Sequence, residues 1–184
     1  MNNVMDITIE LIKAPTEADW MEVKRRALIT AWKHPVNTPD SEWKHDILEA
    51  RHSPIRYLRY SYLIKDIPSN IATHFARHVH AQPYISSLRN DRQDFMDGDE
   101  APRNTPVDMI IDINAEELQV MANKRLCNQA SKITREVMKE MCKAAIAATP
   151  ELNDLLVPMC VYCGGVCHEM HPCAKRGKIN NVST

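Results

Sequence analysis

His74-Phe75-Ala76-Arg77-His78-Val79-His80-Ala81-Gln82-Pro83, followed by Ser86, Ser87 and Arg89, is the stretch on which the reading of this chain turns. Three histidines and two arginines fall within sixteen residues, a density unusual for a solvated face. Arginine presents a planar fork of donors matched to phosphate oxygens, and histidine can contact a ligand's aromatic ring. A serine hydroxyl and backbone N–H groups in the same turn could complete a phosphate cradle. The plainer reading is a surface helix end whose arginines meet nearby acids. A metal set of His74, His78 and His80 is weaker, because no acidic third ligand lies close in sequence.

Working outward, the segment before this cluster alternates. Leu58, Tyr60, Tyr62 and Ile64 interleave with Arg59, Ser61 and Lys65, the period of a half-buried strand. Pro68 stops it and suits the first turn of a helix carrying Ile71, Phe75 and the Arg77-His78 pair. Further upstream, Ile7, Ile9 and Leu11 alternate as a first strand. Thr16 with Asp19 opens a helix with Trp20, Val23, Ala27 and Ala31 near one face, and Ser41 starts a short helix through Trp43, Ile47 and Leu48. Downstream, Arg89 to Thr105 contains Asp97-Gly98 and two prolines and reads as a loop. Val107 to Ile113 is a buried strand. Asn114 with Glu117 caps a helix whose pattern continues, with a break near Asn123, through Val137 and Met141 until Pro150. This order predicts an α+β fold, a mixed or antiparallel sheet with packed helices, rather than a regular βαβ series.

The whole-chain numbers narrow the classes. At 184 residues, with 44% hydrophobic and 26% charged residues, the chain can bury a core as one domain. A formal net charge of -1 argues against a duplex nucleic-acid binder, which needs a basic excess to neutralise phosphates. A phosphorylated small molecule needs only a few arginines in a cleft and stays allowed. The N-terminus carries Asp6 and Glu10 among its apolar residues, so no signal peptide is expected, and no apolar run is long enough for a membrane span. The expected location is the cytoplasm, where six cysteines stay reduced.

The chain is expected to divide into an α+β domain over 1–157 and a Cys/His-rich tail over 158–184. Cys160, Cys163, Cys167 and Cys173 lie with His168 and His171 around Gly164-Gly165, enough ligands for a structural zinc ion. Buried free thiols are the competing reading. Cys127 and Cys142 are expected to be structural cysteines of the long helix, and Ala174 to Thr184 a frayed polar end.

The spacing Arg77-His78-Val79, seven residues, then Ser87 resembles the flavin-dependent thymidylate synthase signature, Arg-His-Arg-x7-Ser, with Arg89 where that family also has an arginine. Arg51-His52-Ser53-Pro54 resembles the family's His-x-Ser segment before the preceding strand. Arg125, Ala130 and Arg135 resemble its Arg-x4-Ala-Gln-x-x-x-Arg helix start. The likeness runs from Ile7 to about Pro150.

The resemblance implies a homotetramer with sites between subunits, binding FAD, deoxyuridine monophosphate, methylenetetrahydrofolate and NADPH. Deoxyuridylate would be methylated with the folate's carbon unit and hydride from reduced flavin. Carried over by position, Arg77 and Arg125 would be catalytic. His78, Arg77 and Ser53 would hold the flavin, and His74, Ser87, Arg89 and Arg125 the nucleotide. The chain departs from the pattern at Val79 (an arginine in the family), Ile85 (a glutamate), Asn90 (a tyrosine), Ser131 (a glutamine) and Arg51 (a histidine, unless the register slips to His52). These departures support an alternative: a non-catalytic or substrate-shifted nucleotide-binding relative that has lost flavin chemistry.

Overall fold

The computed structural model describes residues 6–173. The expected frayed end, 174–184, lies outside the described residues. The centre is a four-stranded antiparallel sheet in the order β1-β2-β4-β3. Its strands are β1 (Thr8–Lys13), β2 (Arg59–Pro68), β3 (Gln82–Ile85) and β4 (Pro106–Asn114). The helices are α1 (Glu17–Ile29), α2 (Ser41–Glu49), α3 (Ser69–Ala76), α4 (Ala115–Arg125), α5 (Lys132–Ala148) and the short α6 (Met159–Tyr162). The α+β expectation holds.

The period of two decides which face is covered. Tyr60 sits opposite Ile113, Tyr62 opposite Ile111 and Ile64 opposite Met109, and all six side chains are fully buried. Helices α3, α4 and α5 pack onto that face. Two phenols cross the core and are satisfied there, because an unpaired buried hydroxyl would be costly. Tyr60 Oη donates to Thr149 Oγ1 at 2.9 Å, and Tyr62 Oη donates to the Met141 carbonyl at 3.1 Å. On the opposite face Asp108, Ile110 and Asp112 of β4 look outward.

Helix starts follow the caps in the sequence. Thr16 and Asp19 form a reciprocal capping box on α1, and Asn114 Oδ1 accepts from the Glu117 N–H at 2.8 Å at the head of α4. The start of α2 is capped one residue earlier than Ser41, by Asp40.

Three expectations need correction. Helix α3 ends at Ala76, so Arg77 is its C-cap and His78 lies beyond it rather than on its face. The helix break falls at 126–131 rather than near Asn123. Asn123 stays inside α4 because its buried amide is satisfied from elsewhere, donating to the Val157 carbonyl at 2.7 Å, while Ser131 caps the new helix α5. Cys127 therefore lies in the α4–α5 connection, not on a long helix. No helix among the described residues is long and apolar enough to cross a membrane.

Candidate functional site

The end of α3 meets the C-terminus of α4 at His78. Its Nδ1 lies 2.8 Å from Glu117 Oε1, and Arg125 Nε donates to its Nε2 at 3.0 Å. A carboxylate only accepts and a guanidinium only donates, so the ring carries its proton on Nδ1 and offers its Nε2 lone pair. The side chains of His78 and Glu117 are 8% and 6% exposed. Burial, reinforced by the Arg125 charge and opposed by the Glu117 hydrogen bond, pushes the His78 pKa down and keeps the ring neutral.

Arg125 completes the join. Its Nη2 donates to the His74 carbonyl at 2.6 Å, tying the last turn of α4 to α3. Burial, then the nearby Arg77 charge, lowers its pKa from the ordinary value. His74 Nδ1 is 2.8 Å from the Thr134 hydroxyl of α5, itself 2.7 Å from the Ser131 hydroxyl. Burial, then Arg125 and Arg77, lowers the His74 pKa as well. Both histidines thus stand neutral beside two guanidinium groups.

Arg77 is different. It is exposed, and its side chain has no hydrogen-bond or ion-pair partner among the described residues, while its backbone N–H donates to the Phe75 carbonyl. It borders an open depression of about 450 Å³ with Arg56, His78, Val79, His80, Glu116, Glu117 and Val120. Arg56 pairs with Glu116, whose carboxyl is held below the usual range chiefly by that bond. The rim therefore offers one uncommitted cation above a Glu117–His78–Arg125 chain whose first two side chains are buried and whose arginine is half-buried, an arrangement suited to an anionic ligand.

The remaining expected site residues lie apart from this depression. Ser53 opens a 3-10 turn and borders a separate surface hollow with His52, Ala50 and Trp43. Ser87 borders a third, with Ser86, Leu88 and Arg92. Arg89 binds Asp91 with both arms of its fork, at 2.9 Å each, and its N–H donates to Ser87 Oγ at 3.2 Å. Exposed pairs of this kind are worth about 0–1 kcal/mol, so a phosphate could compete for the fork. Asn90 supports this loop, its Oδ1 accepting from the Gly98 N–H at 2.6 Å. Gly98 is required there, since a Cβ would meet the Leu88 carbonyl oxygen at 1.8 Å.

Two residues matched to family motifs are structural. Arg51 Nε donates to Gln119 Oε1 at 3.1 Å and its Nη2 to Asn123 Oδ1 at 2.5 Å, and the guanidinium stacks over the Tyr162 ring, 4.3 Å from its centroid. Arg135 donates to the Asn128 and Ala130 carbonyls and so closes the α4–α5 connection. Glu117 escaped the sequence reading as a site residue because its position explained it fully as part of a helix cap.

The zinc set expected from the tail is not assembled. Among the described residues, only His45, Asp46 and Glu49 bring three ligand atoms within 4.8 Å of one another, and that group is largely exposed. Cys163, at the C-cap of α6, turns its Sγ to Met159 Sδ at 3.6 Å, on the first residue of that helix. His74, His78 and His80 form no such group either, because His74 and His78 are committed to Thr134, Glu117 and Arg125. Cys142 is buried in α5, its thiol pushed up to about 12 by desolvation.

No protein-family model matches the chain, and no curated protein matches it by sequence. Solved structures do match its fold. Thymidylate synthase X from Helicobacter pylori, with FAD and dUMP, superposes with a TM-score of 0.66 at 16% identity, over 82% of this chain and 99% of that one. The UMP/dUMP methylase PolB from Streptomyces cacaoi, bound with 5-Br dUMP, gives 0.65 at 15% identity, over 82% and 94%. A second Helicobacter pylori flavin-dependent thymidylate synthase structure gives 0.60 at 17%, over 74% and 92%. The chain has the fold of the flavin-dependent thymidylate synthases.

Proposed function

We propose that this chain is a flavin-dependent enzyme that methylates deoxyuridylate or a related pyrimidine nucleotide. The observation that carries the reading is the exposed Arg77, its guanidinium unpartnered, beside the hydrogen-bonded Glu117–His78–Arg125 chain, on a fold shared with structures that hold FAD and dUMP. A free guanidinium fits the anionic groups of both flavin and nucleotide. FAD, reduced by NADPH, would supply the hydride that completes a methyl group taken from methylenetetrahydrofolate.

The chain's own residues would bind and orient. Arg77 would hold an anionic group at the junction of the two ligands. His78, neutral and locked in one tautomer, would present a fixed ring edge, with Glu117 holding its orientation. Arg125 would place positive charge beneath the pyrimidine as negative charge develops there, the preorganised stabilisation such a step needs. Ser87 and Arg89 would take the nucleotide phosphate once Arg89 releases Asp91. Ser53 lies in a different hollow on one chain, so its role at the flavin requires a second subunit, in keeping with a homotetramer.

The test is release of tritium from deoxyuridylate labelled at C5, with FAD, NADPH and methylenetetrahydrofolate present. Release dependent on all three supports the reading, and none at any enzyme concentration contradicts it.

A second reading has its own observation. Val79 is 87% exposed and Ile85 37% exposed, apolar side chains at positions where the family carries an arginine and a glutamate. A relative that binds a pyrimidine nucleotide without flavin would look like this. It predicts deoxyuridylate binding with no FAD binding.

A further inference from the structure

The cysteines that the nucleotide site leaves unused gather around a different cavity. It is comparatively enclosed, about 150 Å³, and lies where the α4–α5 connection meets the tail. Cys127, Cys160, Cys167 and Cys173 all line it, together with His168 and Glu169. The rest of its wall includes Leu126, Met159 and Val161. From the geometry of this cavity we infer a binding site for one zinc ion, ligated by Cys127, Cys160, Cys167 and Cys173.

This set differs from the run of tail cysteines that the sequence suggests. Cys163 does not line the cavity, and its sulfur packs against Met159. Cys127 takes its place, from a connection more than thirty residues earlier in the chain. The ligands therefore come from two separated segments, as structural zinc sites usually require.

Three contacts hold those segments together. Lys124 Nζ pairs with Glu169 Oε1 at 3.3 Å, Gln129 Nε2 donates to the His171 carbonyl at 2.5 Å, and Asn128 Nδ2 lies 3.8 Å from Cys173 Sγ. The turn between Cys160 and Cys167 is made by Gly164 at φ 61° and Gly165 at φ 93°, backbone angles that side chains rarely adopt. The Gly165 N–H donates to the Cys160 carbonyl at 2.7 Å, which folds Cys167 back toward Cys160.

The four sulfurs ring the cavity rather than converge at its centre. A tetrahedral zinc with bonds of about 2.3 Å would draw them inward. The segment that must shift is short turns and a single-turn helix, not sheet. Thiolate softness favours zinc over magnesium or calcium, which prefer oxygen.

The test uses the full chain, reduced, stripped with a chelator, and titrated with Zn²⁺ against a chromogenic competitor. One zinc per chain is expected. Cys127→Ser and Cys167→Ser should each weaken it more than about tenfold, since even outer-shell changes cost that much. Cys163→Ser should leave it unchanged, and far-UV circular dichroism should match in all three. Alkylation mapped by mass spectrometry checks the wild-type chain directly: zinc should protect Cys127, Cys160, Cys167 and Cys173, but leave Cys163 as reactive as without metal. No zinc bound by the wild-type chain, or protection that includes Cys163 and omits Cys127, overturns the assignment.

Discussion

Arg125 Nε donates to the Nε2 lone pair of His78 across 3.0 Å, which makes a buried histidine an acceptor rather than a cation. The other ring nitrogen must then donate, and Glu117 Oε1 is there at 2.8 Å to receive it. Removing the carboxylate would strand a buried donor, at a cost of about 1–3 kcal/mol. Glu117→Ala should therefore lower the thermal midpoint clearly, while Glu117→Gln, which keeps an acceptor, should lower it less. Equal losses in calorimetry would mean that the acceptor is not what matters.

The same geometry fixes a pH dependence. The folded pKa of His78 lies below its ordinary value of 6.5, so the unfolded chain takes up the proton first. Its contribution to stability is complete above about 6.5 and is lost as pH falls toward the lowered folded value. His74 acts with the same sign. His45, raised mainly by its bond to Asp154, acts with the opposite sign, its contribution present below 6.5 and lost as pH rises through the raised value. Comparison with His78→Gln cancels both. Urea unfolding from pH 7.5 to 5 should show the wild-type chain losing stability relative to the variant, and parallel curves would contradict this.

Arg77 borders the depression without an internal partner, so Arg77→Ala should leave the thermal midpoint unchanged. It should weaken deoxyuridylate or FAD binding about tenfold or more, the worth of a charged hydrogen bond. Calorimetric titration with each ligand would read this. A fall in stability with intact binding would make Arg77 structural.

Val79 borders the same depression with its side chain in solvent. Val79→Arg adds a cation without disturbing the core. FAD affinity should rise in fluorescence titration while the thermal midpoint holds. An unchanged or lower affinity would mean that position 79 does not face the flavin.

Much of the fold was readable because two periodicities and several caps agreed. Tyr60 and Tyr62 alternate into the core, and Asn114 starts α4 as its side chain dictates. The ends were harder. Nothing local stops α3 before His78. Packing against Glu117 and Arg125 places that residue, and those contacts are 39 and 47 positions away in sequence. Strand β3, Gln82–Ile85, was invisible because Pro83 and its four-residue length gave no alternation, and β4 supplies its register. Of the site, Arg77, His78, His74 and Arg125 were legible as residues, but their bonds were not. Arg51, which stands where the family pattern has a histidine, is a half-buried brace for α4, since Gln119 and Asn123 face it.

The most direct measurement is the visible absorbance of the purified chain with added FAD, after gel filtration, before and after addition of deoxyuridylate. The proposed function predicts flavin bands that remain with the protein and shift when the nucleotide binds. A chain that emerges colourless while still binding deoxyuridylate would contradict it and establish the flavin-free relative instead.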